Sequence, residues 1–144
     1  MIRHAFLLTA LGCSSPTVPP AYCASDPGVE TFQVGMVQKG VSGTNVTIAS
    51  ATPSVVQQGL NEWVVSLTDS SGKPVDGTVT ESAFMPAHNH GSPTPSTVTP
   101  KGSGQYDISG INLSMRGVWT ITIAVTTATG SDSATFTFCV DGAT

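Results

Sequence analysis

The sequence predicts an all-β protein, an immunoglobulin-like antiparallel β-sandwich of seven to eight strands. Three observations carry this expectation. Gly, Pro or Asn-Asp-Ser clusters interrupt the chain roughly every 8–12 residues, the rhythm of short strands and tight turns. Between them apolar and polar residues alternate with a period of two, as in Val118–Thr127, where Trp119, Ile121, Ile123 and Val125 share one face. Twenty Thr and seventeen Ser stand beside only 10% charged residues, so hydroxyls supply the polarity that faces water.

The elements follow in order. Arg3 and His4 precede the short apolar run Ala5–Gly12, which reads as a secretory signal over residues 1–12. Cys13 directly after it resembles the lipid-bearing first residue of a bacterial lipoprotein, a reading that makes the chain an exported, lipid-anchored protein of the periplasm or outer membrane. The alternative is an ordinary signal cleaved later, near residues 21–24. Ser14, Ser15, Pro16, Pro19 and Pro20 suit a tether, assigned to residues 13–30. The folded domain is expected over residues 31–144. Its strands are Thr31–Gln38, Thr44–Ser50, Leu60–Asp69, Val75–Phe84, a short edge strand Pro95–Thr99, Gln105–Gly110, Val118–Thr127 and Ser133–Val140. One apolar face per strand calls for two sheets packed together, with Trp63 and Trp119 in the core.

Composition excludes several functions. Five Lys+Arg and a net charge of −4 leave no basic face for nucleic acid. No apolar run approaches the roughly 20 residues of a membrane span. Ser92 and Asp107 are the hydroxyl and carboxylate nearest the histidines in sequence, yet no motif organises them into a catalytic set, so no enzyme is expected.

The densest polar chemistry is Met85-Pro86-Ala87-His88-Asn89-His90-Gly91. In an extended segment His88 and His90 point the same way and form half of a metal site. Met85 adds a soft thioether, and a second lies at Met115. Imidazole with thioether, and without carboxylate or thiolate close by in sequence, favours a copper ion over zinc. Strand parity bears on whether these residues meet. If every connection reverses direction, and Pro95–Thr99 is a strand, the fourth strand ends and the seventh begins at one pole. The same parity brings Cys23 and Cys139 to that pole. A disulfide there closes a long loop and contributes up to about 5 kcal/mol.

The ordered series Gly59-x-Asn61-x-Trp63-x-Val65, Asp69-x-x-Gly72-Lys73-Pro74-Val75, Met85-Pro86-x-His88-x-His90-Gly91, Gly104-x-Tyr106 and Met115-x-Gly117-x-Trp119-x-Ile121 resembles the YtkA-like/FixH-like domains. The resemblance spans about residues 40 to 128. It implies an extracytoplasmic sandwich without enzymatic activity, associated with copper handling, whose partner is a metal-transport ATPase, an efflux adaptor or a respiratory oxidase assembly factor. It also implies a ligand role for Met85, His88 and His90, with Met115 in the second loop. Arg116 stands where the family carries Pro, which places a positive charge beside the cation site. The function expected is a lipoprotein domain that binds copper for buffering or delivery. The alternative is a metal-free structural or protein-interaction module at the cell envelope.

Overall fold

The strong alternation around Trp119 becomes the centre of one of two sheets. A computed structural model describes residues 23–141. The signal over residues 1–12 and Cys13 lie outside the described residues. Nine strands are present among those described: β1 (Val37–Lys39), β2 (Asn45–Thr52), β3 (Gly59–Thr68), β4 (Thr78–Met85), β5 (His90–Gly91), β6 (Thr97–Gly102), β7 (Gln105–Leu113), β8 (Gly117–Thr127) and β9 (Gly130–Val140). They form a five-stranded sheet in the order β1-β2-β3-β7-β6 and a four-stranded sheet in the order β5-β4-β8-β9. All strand pairs are antiparallel. The expected sandwich is therefore observed, with the two-residue β5 as an addition that the sequence did not suggest.

The two inner faces bury one continuous core. Val46, Ile48, Trp63, Val65 and Leu67 face Ile121, Ile123, Phe136 and Phe138 across it. Trp63 packs edge-on against Phe136 and Phe138, with ring centroids 6.1 and 6.0 Å apart. Both tryptophans are buried, as the alternation requires. Glu81 alone breaks the inward row Val79, Ala83, Met85 of β4. Burial pushes its carboxyl above the ordinary glutamate value of 4.5, and a hydrogen bond from Ser96 opposes the shift. An inward carboxylate on a strand whose outer edge is paired only at Phe84 and Met85 discourages pairing with another chain.

The first strand differs from expectation. The regular ladder with β2 is limited to Val37–Lys39; a turn closed by Met36 N–H on the Gln33 carbonyl breaks the run at Val34-Gly35, where Gly35 N–H still donates to the Ile48 carbonyl at 2.7 Å and Ile48 N–H to the Met36 carbonyl at 3.1 Å. The preceding chain leaves that sheet and lies along β9. Glu30 N–H donates to the Thr137 carbonyl at 2.8 Å, and the Glu30 carboxylate accepts from Thr137 N–H at 3.0 Å. Cys23 is bonded to Cys139, with Cα atoms 5.4 Å apart. Residues 23–30, assigned to the tether from sequence, are thus held on the domain at their first residue and their last.

The strand order defines two ends of the sandwich. At one, the end of β4, the start of β8, the end of β9 and the start of β3 come together, as Gln58 shows by donating to the carbonyls of Ser114 (2.9 Å) and Asp141 (3.2 Å). This end is called the histidine pole. The far pole gathers the β3–β4 connection, the β6–β7 turn and the β8–β9 turn. There Tyr106 Oη accepts from Gly77 N–H at 2.8 Å. Gly104, at φ 72°, leaves no room for a side chain, since a Cβ would stand 2.4 Å from the Leu67 carbonyl oxygen.

Candidate functional site

β4 and β8 pair antiparallel with Phe84 opposite Thr120, so the loop after β4 and the turn before β8 share the histidine pole. The strand on which this depends is β6, which begins at Thr97 and runs through Pro100 at a sheet edge. A proline fits an edge, where its missing N–H breaks no ladder bond.

The histidine loop is not extended as the sequence reading supposed. Pro86 starts a 3₁₀ turn over Pro86–His88, and Asn89 closes it in the left-handed conformation at φ 53°. Proline fits the first turn of such an element, and asparagine tolerates that φ better than most residues. The reversal sends His90 back along β4, directly opposite Met85. The two imidazoles nevertheless end side by side, ring centroids 5.9 Å apart and planes tilted by 35°. Two imidazoles on one metal, each bound at 2.0–2.1 Å, place their centroids about 5–6.5 Å apart. The observed spacing lies in that range.

His90 is fixed further. Its Nδ1 lies 2.9 Å from the Gly91 carbonyl oxygen. A carbonyl only accepts, so Nδ1 carries the proton and Nε2 keeps its lone pair for a ligand. The ring meets Trp119 edge to face at 6.0 Å. The Trp119 indole N–H in turn donates to the Met115 carbonyl at 2.9 Å, which fixes the turn before β8. Gly117 at φ 141° lets the chain enter β8 in a conformation other residues avoid. Trp119 therefore joins the two loops from below. The alternation of β8 places it in the core, where it is, but does not by itself show this second role. The only available signal was the four-residue spacing from Met115.

The four residues named as metal ligands occupy different settings. His88 is exposed and His90 half-buried. Met115 is 39% exposed at the same pole. Met85 is 2% exposed and belongs to the core cluster, beneath His90 on the inner face. Among the described residues no three His, Cys, Asp or Glu side chains gather where they could hold a metal ion. The groups that this pole presents close to the surface are the two imidazoles and the Met115 thioether. Arg116 lies 3.7 Å from Asp141, so its charge is partly balanced.

Most of the remaining motif residues have structural tasks. Asn61 is wholly buried; its side chain accepts from Gln57 N–H and donates to the carbonyls of Gln57 and Gly59. Asp69 accepts from the backbone N–H groups of Ser71 and Lys73 and from the Ser71 hydroxyl, which shapes the turn after β3.

The fold and these fixed turns define a small two-sheet domain that carries a histidine pair at one end. A family model described as YtkA-like matches residues 39–124, more than half of the chain. The chain belongs to the YtkA-like family. No curated protein matches it, and no solved structure does. Both cysteines of the disulfide lie outside the matched stretch. No helix among the described residues is long and apolar enough to cross a membrane.

Proposed function

We propose that this chain is an extracytoplasmic binding domain, not an enzyme, that takes up a soft metal ion, copper, at the histidine pole. The ion is cargo, to be buffered or passed to a metal-transport ATPase, an efflux adaptor or a respiratory oxidase assembly factor. One observation carries the reading: His88 and His90 stand at a spacing two imidazoles adopt on a shared metal, with the Nε2 lone pair of His90 uncommitted. The exposed Met115 thioether at the same pole favours Cu(I) over harder ions. Met85 serves as a ligand only if its side chain leaves the core, so the reading rests on His88, His90 and Met115 first.

The test is titration of the folded protein with Cu(II) and, under reductant too weak to open the disulfide, with Cu(I). One ion per chain is expected. His88→Ala combined with His90→Ala should weaken binding by at least about tenfold, about 1.4 kcal/mol, while circular dichroism is unchanged. A double variant that binds as tightly as the parent overturns the proposal.

A further inference from the structure

The disulfide determines where the N-terminal chain leaves the domain. Cys139 stands opposite Val118, two residues after Arg116 in the turn that carries Met115. Cys23, bonded to it, is therefore at the histidine pole. Cys13 stands ten positions before Cys23. Ten residue steps reach at most about 35 Å whatever their conformation. The long hairpin of β8 and β9 itself spans about 36 Å. A lipid on Cys13 thus keeps the histidine pole close to the bilayer and lets the far pole reach it only with the tether almost fully drawn out.

The surface at this pole suits that neighbour. Seven large apolar residues of the described chain are exposed, and four of them, Val55, Leu60, Phe84 and Met115, lie at the histidine pole. Leu60 projects from the outer face of one sheet and Phe84 from the outer face of the other, with Val55 and Met115 in the loops between. A groove for one protein partner would gather such side chains on one side. Apolar groups set around an end meet a fluid interface that surrounds that end.

We propose that the histidine pole is the face with which this chain rests on a phospholipid surface, the His88–His90 pair turned toward the membrane. Val55, Leu60, Phe84 and Met115 enter the headgroup region, and the Cys23–Cys139 bond holds the tether at that end. The inference rests on Cys13 as the lipid-bearing residue but not on metal binding.

The experiment separates these parts. Cys13 is the one cysteine outside the disulfide, so the chain from Cys13 onward can be coupled through that thiol to a maleimide phospholipid in phosphatidylcholine vesicles. Headgroup-nitroxide lipid then broadens backbone amide signals according to their distance from the surface. Broadening at Val55, Asn89 and Met115 should exceed that at Val41, Ser71 and Thr129 severalfold. Val55→Ser with Leu60→Ser should reduce the contrast. Equal broadening at the two poles, or more at the far pole, overturns the proposal. A contrast that the serine substitutions leave unchanged also overturns it as a docking surface, because the tether alone would then orient the domain. His88→Ala with His90→Ala should leave the contrast intact, which keeps this result independent of the copper titration. Mass spectrometry of the native membrane fraction tests the lipid on Cys13 separately; an unmodified Cys13 there removes the anchor and overturns the proposal for the cell even where the coupled chain is polarised.

Discussion

The two poles are built from similar loops and differ in what their side chains have left over. At the far pole the polar groups are spent on the backbone. Asp132 accepts from the N–H groups of Ser42, Thr44 and Ser133. Asp69 does the same within its own turn, Asp76 accepts from Gly104 N–H, and Tyr106 ties down Gly77. At the histidine pole the supporting residues are equally engaged: Asn61 holds residues 57–59, Gln58 joins two loops, and Trp119 holds Met115. The tip residues are not. His88 makes no side-chain hydrogen bond to any described residue, His90 keeps one ring nitrogen uncommitted, and Met115 is exposed. Folding accounts for the supporting residues and leaves the tip unexplained. A polar side chain with no folding task on a rigid frame is where binding chemistry is expected.

The largest test of this contrast is the disulfide. It closes a loop with a sequence separation of 116, and its loss through Cys23→Ser with Cys139→Ser should cost about 2–5 kcal/mol in denaturant unfolding. Hydrogen exchange should show the damage at one end: the Glu30 amide loses protection, while the Gly77 amide at the far pole keeps it. Uniform loss at both poles would mean that the disulfide braces the whole sandwich rather than its N-terminal segment.

Next in size is the difference between the two methionines. Met85→Ala empties a core position and should cost about 2–5 kcal/mol, whereas Met115→Ala at the surface should stay within about 0.5 kcal/mol. Cu(I) affinity should respond the other way, with Met115→Leu weakening it and the volume-conserving Met85→Leu leaving it alone. A Met85→Leu variant with native stability and weakened Cu(I) binding would move Met85 from the core into the site.

That pair also shows how far the sequence could be read. The sandwich, the Trp119 stripe, the edge proline and the shared pole follow from period, turn residues and parity, all of which are local or additive properties of the chain. Met85 was separable in principle, because it continues the inward phase of Val79 and Ala83. Glu81 interrupts that phase, and ending the strand at Phe84 left Met85 outside it. The turn over Pro86–His88 was marked by its proline, but the left-handed Asn89 and the strand β5 arise from pairing with β4, a contact no local pattern encodes. The edge contact of His90 with Trp119 depends on that same reversal. The lead segment was misassigned for a related reason: Glu30 is polar, and its place on β9 depends on one bridge and one disulfide rather than on alternation.

Acid separates the poles by a smaller effect. Hydrogen bonds from the Ser71 side chain and the Lys73 backbone hold the Asp69 carboxyl below the ordinary aspartate value of 3.8. At Asp132 burial acts to raise the value, but the backbone bonds from Ser42, Thr44 and Ser133 outweigh it, and the net direction is again downward from 3.8. A carboxyl lowered in the folded state stabilises above its unfolded value, and that contribution disappears as pH falls through the folded value. Stability should therefore decline below about pH 4, and Asp69→Asn with Asp132→Asn should flatten that part of the profile. Both groups are largely exposed, so the effect is modest and shrinks in high salt. Far-pole amides should lose exchange protection first as the pH falls below that point. A profile unchanged by the two substitutions would show that these turns do not depend on the carboxylate charge.

The smallest expected effect on stability bears most directly on function. His88→Ala with His90→Ala removes two rings from the protein surface, one hydrogen bond to a carbonyl that water can replace, and one edge contact with Trp119. Metal-free unfolding should therefore shift by no more than about 0.5 kcal/mol. Copper should then separate variant from parent. An ion that binds only the folded state stabilises it by about 2.7 kcal/mol at a concentration 100 times its Kd, and the variant should gain little of this. Measured together, the two unfolding curves distinguish a tip reserved for binding from one that folding requires. A large loss without metal would make the histidines structural, and the contrast between the poles would then be one of degree. Equal metal-free stability with equal gain on adding copper would place the ion elsewhere on the chain.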